Sequence, residues 1–459
     1  MDAGRWGVPE TALVVGMGAS GAAAARHLHD RGARIVAVDD APGDEARAAA
    51  ARLGLELVEA PDVARLADLL VGADVVVPSP GVPLAHPVFG LAAEHGVPVR
   101  GEVELAFRWT HHPVVAVTGT NGKTTVTALT TEMLTASGVR AIAGGNIGLP
   151  LSEAVRRDVD VVVAEVSSFQ LRWTDTFCPQ VGVWLNVAED HLDWHPGMDD
   201  YVAAKSRIWA HQGSDNLAVA NADDPVVAAA ARSAPGRVEA FSVVGEAHWR
   251  VARGALWGPP GRIVDVSELP RALPHDLANA MAAAAAALGA GATVEGVRAA
   301  LRGFPGLPHR LTLVAHEDGI GWYDDSKATN PHATLAALYG LSSVVLIAGG
   351  RNKGLHLGVL RQGSHHLRAV VAMGEAAPEV ASVFDGVCPV TTVSSMDEAV
   401  AAARAGAMPG DTVLLSPGCA SFDQYPSYAA RGDDFARAVI TLVGLRAPAV
   451  EPSQEEPGA

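Results

Sequence analysis

The sequence predicts an α/β protein of three domains, each built on a mostly parallel sheet with helices against both faces. Three observations carry this expectation. Short Val-rich runs alternate with Ala-rich helical stretches along the chain, the order of strand and crossover helix in a doubly wound sheet. At 459 residues the chain is too long for one ordinary core. Apolar residues make up 49% and aromatics only 5%, which suits strands buried on both faces under small-residue helices.

Taken in order, Thr11 to Val15 is an apolar strand, followed by Gly16-Met17-Gly18-Ala19-Ser20-Gly21 and a helix to about Asp30. Arg34 to Val38 is the next strand and ends in Asp39-Asp40; Ala73 to Val77 runs into Ser79-Pro80-Gly81. Trp109 to Pro113 reads as a linker, so the first domain is expected over residues 1–109. The second, 110–308, opens on the strand Val114 to Thr118 and continues through Val159 to Glu165 and Gln180 to Asn186. An Ala-rich helix starts near His275, and the Gly/Pro-rich Gly303 to Pro308 closes this domain. The third, 309–446, has strands at Gly321 to Tyr323, Ser343 to Ile347, Ala369 to Met373 and Thr412 to Leu415. The Pro-, Glu- and Ser-rich end, 447–459, is expected to be a disordered tail.

Composition excludes several functions. The formal charge is −17 and no Lys/Arg run tracks a phosphate backbone, so neither nucleic acid nor an anionic membrane is an expected partner. Cys178, Cys388 and Cys419 lie far apart, form no metal-spaced set and suit a reducing compartment. No basic segment followed by an apolar run opens the chain, and the Ala278 to Ala292 stretch is too weakly apolar to span a bilayer. A soluble, cytoplasmic protein, acting as a monomer, is expected.

The strongest local signal is Val114-Val115-Ala116-Val117-Thr118-Gly119-Thr120-Asn121-Gly122-Lys123-Thr124-Thr125. A buried strand enters a small-residue loop, then Gly-Lys-Thr, then a helix. Glycines let backbone N–H groups close around phosphate oxygens, and the helix N-terminus adds positive potential. Lys123 suits the β- and γ-phosphates of a nucleotide, and the Thr124 hydroxyl suits Mg²⁺. Val117 stands where the longer phosphate-loop pattern has its first Gly. Gly16-x-Gly18-x-x-Gly21 with Asp39 fits the dinucleotide fingerprint. Read alone, it points to an NAD-dependent oxidoreductase; the same physics serves any nucleotide diphosphate.

Gly119-Thr120-Asn121-Gly122-Lys123-Thr124 resembles the ATP loop of the Mur ligase superfamily. Further segments agree with that family in order and spacing: Glu165 to Leu171, Asn186 to Asp193, Tyr201 to Lys205, Gly306 to Arg310, Asp324 to Pro331 and Leu415 to Gln424. The last two resemble the branch that adds the second residue of the peptidoglycan stem peptide.

The resemblance implies an N-terminal Rossmann-like domain, a central P-loop ATPase-like domain and a C-terminal Rossmann-like domain. It implies ATP-dependent ligation of D-glutamate to UDP-N-acetylmuramoyl-L-alanine through an acyl phosphate, with these three small molecules as substrates and Mg²⁺, in two ions, as cofactor. Gly119 to Thr125, Asn279, Arg310 and Asp325 would bind ATP. Thr124, Glu165, His191 and Lys205 would hold metal, with Lys205 carbamylated. Lys123, His191, Lys205 and Arg310 would be the catalytic set. Gly18, Ala19, Ser20, Asp39, Ser79, Gly81 and Asn146 would contact the UDP-sugar, and Thr329, Lys353, Ser421, Phe422 and Tyr428 the glutamate. Related amino-acid ligases, such as the alanine-adding enzyme and folylpolyglutamate synthase, are the near alternatives.

Overall fold

The computed structural model of the protein describes residues 7–444; the expected tail, 447–459, lies outside them. Three sheets form. The first is fully parallel, with β1 (Thr11–Val15), β2 (Arg34–Asp39), β3 (Leu57–Glu59) and β4 (Val75–Pro78) in the order β3-β2-β1-β4. β1 and β4 are almost wholly buried because helices cover both faces. β3 is absent from the sequence reading. It is a three-residue edge strand with no fully buried position, so it carries no apolar signature.

The second sheet has nine strands: β5 (Val114–Thr118), β6 (Ala141–Gly145), β7 (Val161–Glu165), β8 (Val181–Trp184), β9 (Leu217–Asn221), β10 (Arg237–Ser242), β11 (Trp249–Ala252), β12 (Ala255–Gly258) and β13 (Gly261–Asp265). Their order is β13-β12-β11-β10-β9-β8-β5-β7-β6. The pairs from β6 to β11 are parallel, whereas β11-β12 and β12-β13 are antiparallel. This antiparallel extension corrects the simple strand–helix alternation expected of the segment. Its turns explain why it is hard to read. Arg253-Gly254 joins β11 to β12 with positive φ at both residues (50° and 71°), a two-residue hairpin in which Arg takes a place usual for Asn.

The helix Pro274–Gly289 lies against this sheet and against the helices Lys123–Ala136 and Val294–Gly303. Its Ala282 to Ala287 are all buried. A helix buried around its circumference needs small side chains to sit close to a sheet. Replacing one of these methyls by a larger group would overpack the core at a cost of about 1–3 kcal/mol. No helix among the described residues is long and apolar enough to cross a membrane.

The third sheet contains β14 (Thr312–Glu317), β15 (Ile320–Asp324), β16 (Val344–Gly349), β17 (Leu367–Met373), β18 (Val390–Thr392) and β19 (Thr412–Gly418) in the order β14-β15-β19-β16-β17-β18. Only β14 runs antiparallel. By contact the chain forms two compact units. One comprises residues up to Ala188 with Trp194–Pro305; the other comprises Glu189–Asp193 with the chain from Gly306 on. The first two sheets thus share a unit, and the third has its own. The three cysteines are free thiols; Cys419 is buried and the other two are half-buried.

Glu102 begins the helix Glu102–Arg108 and is only 2% exposed. One carboxyl oxygen accepts the Ser152 N–H at 2.5 Å, and the other has no hydrogen-bond partner. Burial pushes its pKa from 4.5 up to about 7. An acid that ionises later in the folded state favours folding at low pH and loses that advantage as pH rises. Wild type should therefore lose up to about 3 kcal/mol of stability relative to Glu102→Gln between pH 4.5 and 7. Denaturant titrations at both pH values measure the difference, and parallel pH curves for the two proteins would refute it.

Candidate active site

Parallel pairing places the C-terminal ends of β5, β7 and β8 side by side, with Val117 opposite Glu165 and Thr118 opposite Trp184. The phosphate-loop sequence leaves β5 at this edge, where open α/β sheets bind ligands. Gly119 and Gly122 have φ of 155° and 86°, the latter left-handed. A Cβ at Gly122 would lie 2.6 Å from Asn279 Oδ1, so the loop backbone and the Asn279 side chain are packed together.

The loop is splinted from β8. Asn186 Oδ1 accepts the Asn121 N–H at 2.8 Å, Asn186 Nδ2 donates to Asn121 O at 3.1 Å, and Asn186 O accepts the Thr120 N–H at 3.1 Å. The Lys123 amine donates to Gly119 O (2.8 Å) and Thr120 O (2.9 Å), curling back over its own loop. Thr124 and Thr125 occupy the first turn of the helix Lys123–Ala136. Asn186 has no individual role in the sequence reading. Its position just past a buried strand, beside the phosphate loop, is the signal that could have found it.

Glu165 ends β7 and is 2% exposed. Asn146 Nδ2 donates to its Oε1 at 2.8 Å, and the Asn146 N–H donates to its backbone oxygen at 2.8 Å. Glu165 Oε2 is buried without a hydrogen-bond partner. A carboxylate oxygen left so at a phosphate-binding edge suits a divalent cation. Among the described residues no three His, Cys, Asp or Glu side chains gather into a metal-holding group. Mg²⁺ here would draw most of its ligands from phosphate and water, as is usual for that ion.

The helix Met198–Ser206 also reaches the loop. Tyr201 Oη is 3.1 Å from Thr120 Oγ1. Lys205, 1% exposed, donates to Gly119 O at 2.9 Å and sits 4.5 Å from the centre of the Tyr201 ring.

The N-terminal glycines form a tight cradle in the same unit. A Cβ at Gly21 would meet Gly16 O at 1.8 Å, and one at Gly16 (φ 82°) would meet Ser79 Cβ at 2.9 Å. Gly18 caps the helix Ala19–His29, and Gly18 and Ala19 are exposed, with Ser20 half-buried. Gly81 is exposed in the turn after Ser79. Asp39 braces this cradle: its two oxygens accept the N–H groups of Met17 (2.7 Å) and Ala41 (3.0 Å).

The remaining expected residues belong to the second unit. Asp325 is buried; Ser416 Oγ donates to its Oδ2 at 2.8 Å. Burial raises its pKa to about 7, against the pull of Ser416 and the nearby Arg310 charge. His309, adjoining Arg310, bonds Asp324 Oδ2 at 2.6 Å, and this bond raises the imidazole pKa. Arg431, which the sequence reading passes over, is buried and ties together Ser326 and the Cys419 carbonyl.

Tyr428 carries the Lys327 amine over its ring at 3.7 Å. Ser421 is buried, Thr329 and Lys353 are half-buried, and Phe422 is 62% exposed. His191 (φ 57°) donates its N–H to Asp190 Oδ1 at 2.9 Å, and Asn330 Nδ2 donates to Asp190 Oδ2 at 3.1 Å. His191 therefore belongs to the second unit by contact, and Glu165 and Lys205 to the first.

Family models match in series: a Mur ligase MurD-like N-terminal domain over residues 10–101, a Mur ligase middle domain over 117–287 and a Mur ligase glutamate ligase domain over 309–419. A UDP-N-acetylmuramoylalanine–D-glutamate ligase from Desulfosudis oleivorans is 44% identical across 94% of this chain and 96% of its own. Another of that name from Frankia casuarinae is 46% identical across 94% of both chains. The chain belongs to the Mur ligase family.

A solved UDP-N-acetylmuramate-alanine ligase from Thermotoga maritima shares the fold, with a TM-score of 0.59 at 18% identity, over 95% of this chain and all of that one. The glycine cradle is thus part of a Mur ligase N-terminal domain and not the mark of an NAD enzyme. ATP and Mg²⁺ are the nucleotide and metal of this Mur ligase.

Gly122→Ala tests the loop geometry. A side chain in left-handed backbone costs about 1–2 kcal/mol, and the contact with Asn279 adds to it. Affinity for a non-hydrolysable ATP analogue should fall at least about tenfold by calorimetry; unchanged affinity would count against this loop as the nucleotide site.

Proposed function

We propose that this Mur ligase joins D-glutamate to UDP-N-acetylmuramoyl-L-alanine in peptidoglycan synthesis, as a cytoplasmic monomer. The observation that carries the reading is near-full-length identity of 44–46% to relatives bearing that activity in their names. The phosphate loop and the buried Glu165 supply the physical ground for it.

The chemistry is activation of one carboxylate and its capture by an amine. The substrate carboxylate oxygen attacks the γ-phosphorus of ATP, giving an acyl phosphate and ADP. The neutral glutamate amine then attacks the acyl carbon, the tetrahedral intermediate expels phosphate with its bonding pair, and the nitrogen gives up one proton to solvent. Such transfers depend on positioning and charge neutralisation more than on covalent help. Mg²⁺, when bound, neutralises phosphate charge; Glu165, Thr124, His191 and a carbamylated Lys205 are its proposed holders, for two ions.

The chain's own groups supply the rest. Loop N–H groups from Gly119 to Thr125 cradle phosphate. Lys123, released from Gly119 O and Thr120 O, reaches the transferring phosphoryl group. Asn279 and Asp325 orient the nucleotide, and the Arg310 fork meets developing charge on phosphate oxygens. In the first domain, taken as 1–109, Gly18, Ala19, Ser20, Asp39, Ser79 and Gly81 receive the UDP-sugar, and Asn146 from the central domain 110–308 adds to them. In 309–446, Thr329, Lys353, Ser421, Phe422 and Tyr428 receive glutamate.

Phosphate release should require UDP-N-acetylmuramoyl-L-alanine together with D-glutamate and should be at background with L-glutamate. Lys123→Ala should reduce it by at least about a thousandfold, the scale of losing a charge clamp on transferring phosphate. Release with alanine instead would assign a different ligase, and full activity of Lys123→Ala would remove the loop from the mechanism. For Lys205, protein equilibrated with ¹³C-bicarbonate should show a carbamate carbon resonance that is missing in Lys205→Arg. Identical spectra would refute the modification.

A further inference from the structure

One side-chain chain in the first unit is used by nothing above. His195 is 1% exposed; its Nδ1 lies 2.6 Å from Asp200 Oδ2 and its Nε2 lies 2.9 Å from Ser168 Oγ. Arg172 in turn pairs with Asp200 Oδ1. The order Ser–His–Asp is that of a hydrolase nucleophile and its base. Here it cannot act as one, because Ser168 is only 2% exposed and no substrate atom reaches its hydroxyl. A buried relay of this kind does something else: it fixes two pieces of backbone relative to one another.

The two pieces are informative. Ser168 stands three residues after Glu165 and opens the helix Ser168–Arg172, which Ser167 caps through a reciprocal bond with Gln170. Asp200 stands on the helix Met198–Ser206, next to Tyr201 and one and a half turns before Lys205. The same imidazole packs edge-on against the Tyr201 ring at 5.1 Å and stacks on Phe169 at 5.6 Å. Tyr201 and Lys205 reach the phosphate loop through Thr120 and Gly119. His195 thus stands between the strand end that bears Glu165 and the helix that bears Lys205.

The polarity is set as well. Burial would raise the Asp200 pKa, but hydrogen bonds from Arg172 and His195 bring it below its ordinary value, so the carboxylate is ionised. Burial lowers that of His195, which favours the neutral ring. With its proton on Nδ1 facing Asp200, the ring presents Nε2 as an acceptor to the Ser168 hydroxyl.

We infer that His195, clamped between Asp200 and Ser168, is a positioning residue that sets the separation of Glu165 and Lys205 and thereby the affinity of the site for divalent metal. The inference rests on the proposed metal-dependent ligase reading. Groups behind metal ligands commonly tune affinity by about 10- to 100-fold when lost.

The test is an EPR titration of Mn²⁺ into the full chain loaded with β,γ-methylene-ATP. His195→Phe keeps an aromatic ring against Phe169 and Tyr201 but removes both hydrogen bonds. Its Mn²⁺ dissociation constant should rise about tenfold, kcat should fall comparably, and KM for UDP-N-acetylmuramoyl-L-alanine should stay unchanged. His195→Gln, whose amide oxygen can still accept from Ser168, should recover part of the metal affinity. Wild-type Mn²⁺ affinity in His195→Phe overturns the inference alone; no Mn²⁺ binding by wild type overturns the metal-site reading and this inference with it. If His195→Phe does not fold, Ser168→Ala, which deletes only one bond of the relay, is read by the same criterion.

Discussion

Parallel pairing of β5 with β7 and β8 is the constraint on which the candidate site depends. A parallel ladder aligns the C-terminal ends of neighbouring strands at one edge. The register of Val117 with Glu165 and of Thr118 with Trp184 therefore brings three separate stretches to the phosphate loop. Each brings a different group: the loop itself, a buried carboxylate, and the Asn186 amide that ties the loop down. A one-residue slip would turn every side chain to the opposite face of the sheet and separate them. The register is protected because β5, β7 and β8 are buried along their whole length.

Polar groups near this edge are mostly spoken for within the protein. Lys123 and Lys205 both donate to Gly119 O and Asn146 donates to Glu165; in the first sheet Asp39 likewise accepts two backbone N–H groups. Such bonds hold the side chains in place before any ligand arrives, which reduces the entropy lost on binding. Three groups at these strand ends are buried without a partner, Thr118 Oγ1, Trp184 Nε1 and Glu165 Oε2, and of these only the last is a carboxylate oxygen. Leaving a buried carboxylate oxygen unsatisfied costs free energy, and a cation that binds there removes the cost. The second unit follows the same rule with Asp325, whose burial holds its pKa near neutrality.

Much of the fold is legible along the chain because buried parallel strands announce themselves as short Val-rich runs. Val114 to Thr118 is read to the residue, and the long Ala-rich helix is read to within one residue of its start. Among the elements that escape are ones whose signature is weak, although the buried β9 is passed over as well. β3 has no buried position, and the β11 to β13 extension turns at Arg253-Gly254, where the strained residue is one that any loop could contain. Among site residues, Asn186 and His195 escape for another reason: an Asn after a strand and a buried His are common, and only their hydrogen-bond partners distinguish them.

Gly119 to Thr125, Glu165 and the glycine fingerprint are local features, so the sequence by itself pointed to phosphate handling and supplied the residues proposed for it. Phosphate cradles and strand ends are built from contiguous backbone, and their physics is written in neighbouring positions. Tertiary structure alone decided what surrounds them. It packed Asn279 onto Gly122, aimed Asn146 at Glu165, gathered Asp190 and His191 with the second unit, and closed Asp200 and Ser168 on His195. Those contacts join residues far apart in the chain, or ones whose side chains could point elsewhere, and only the packed fold selects among the alternatives.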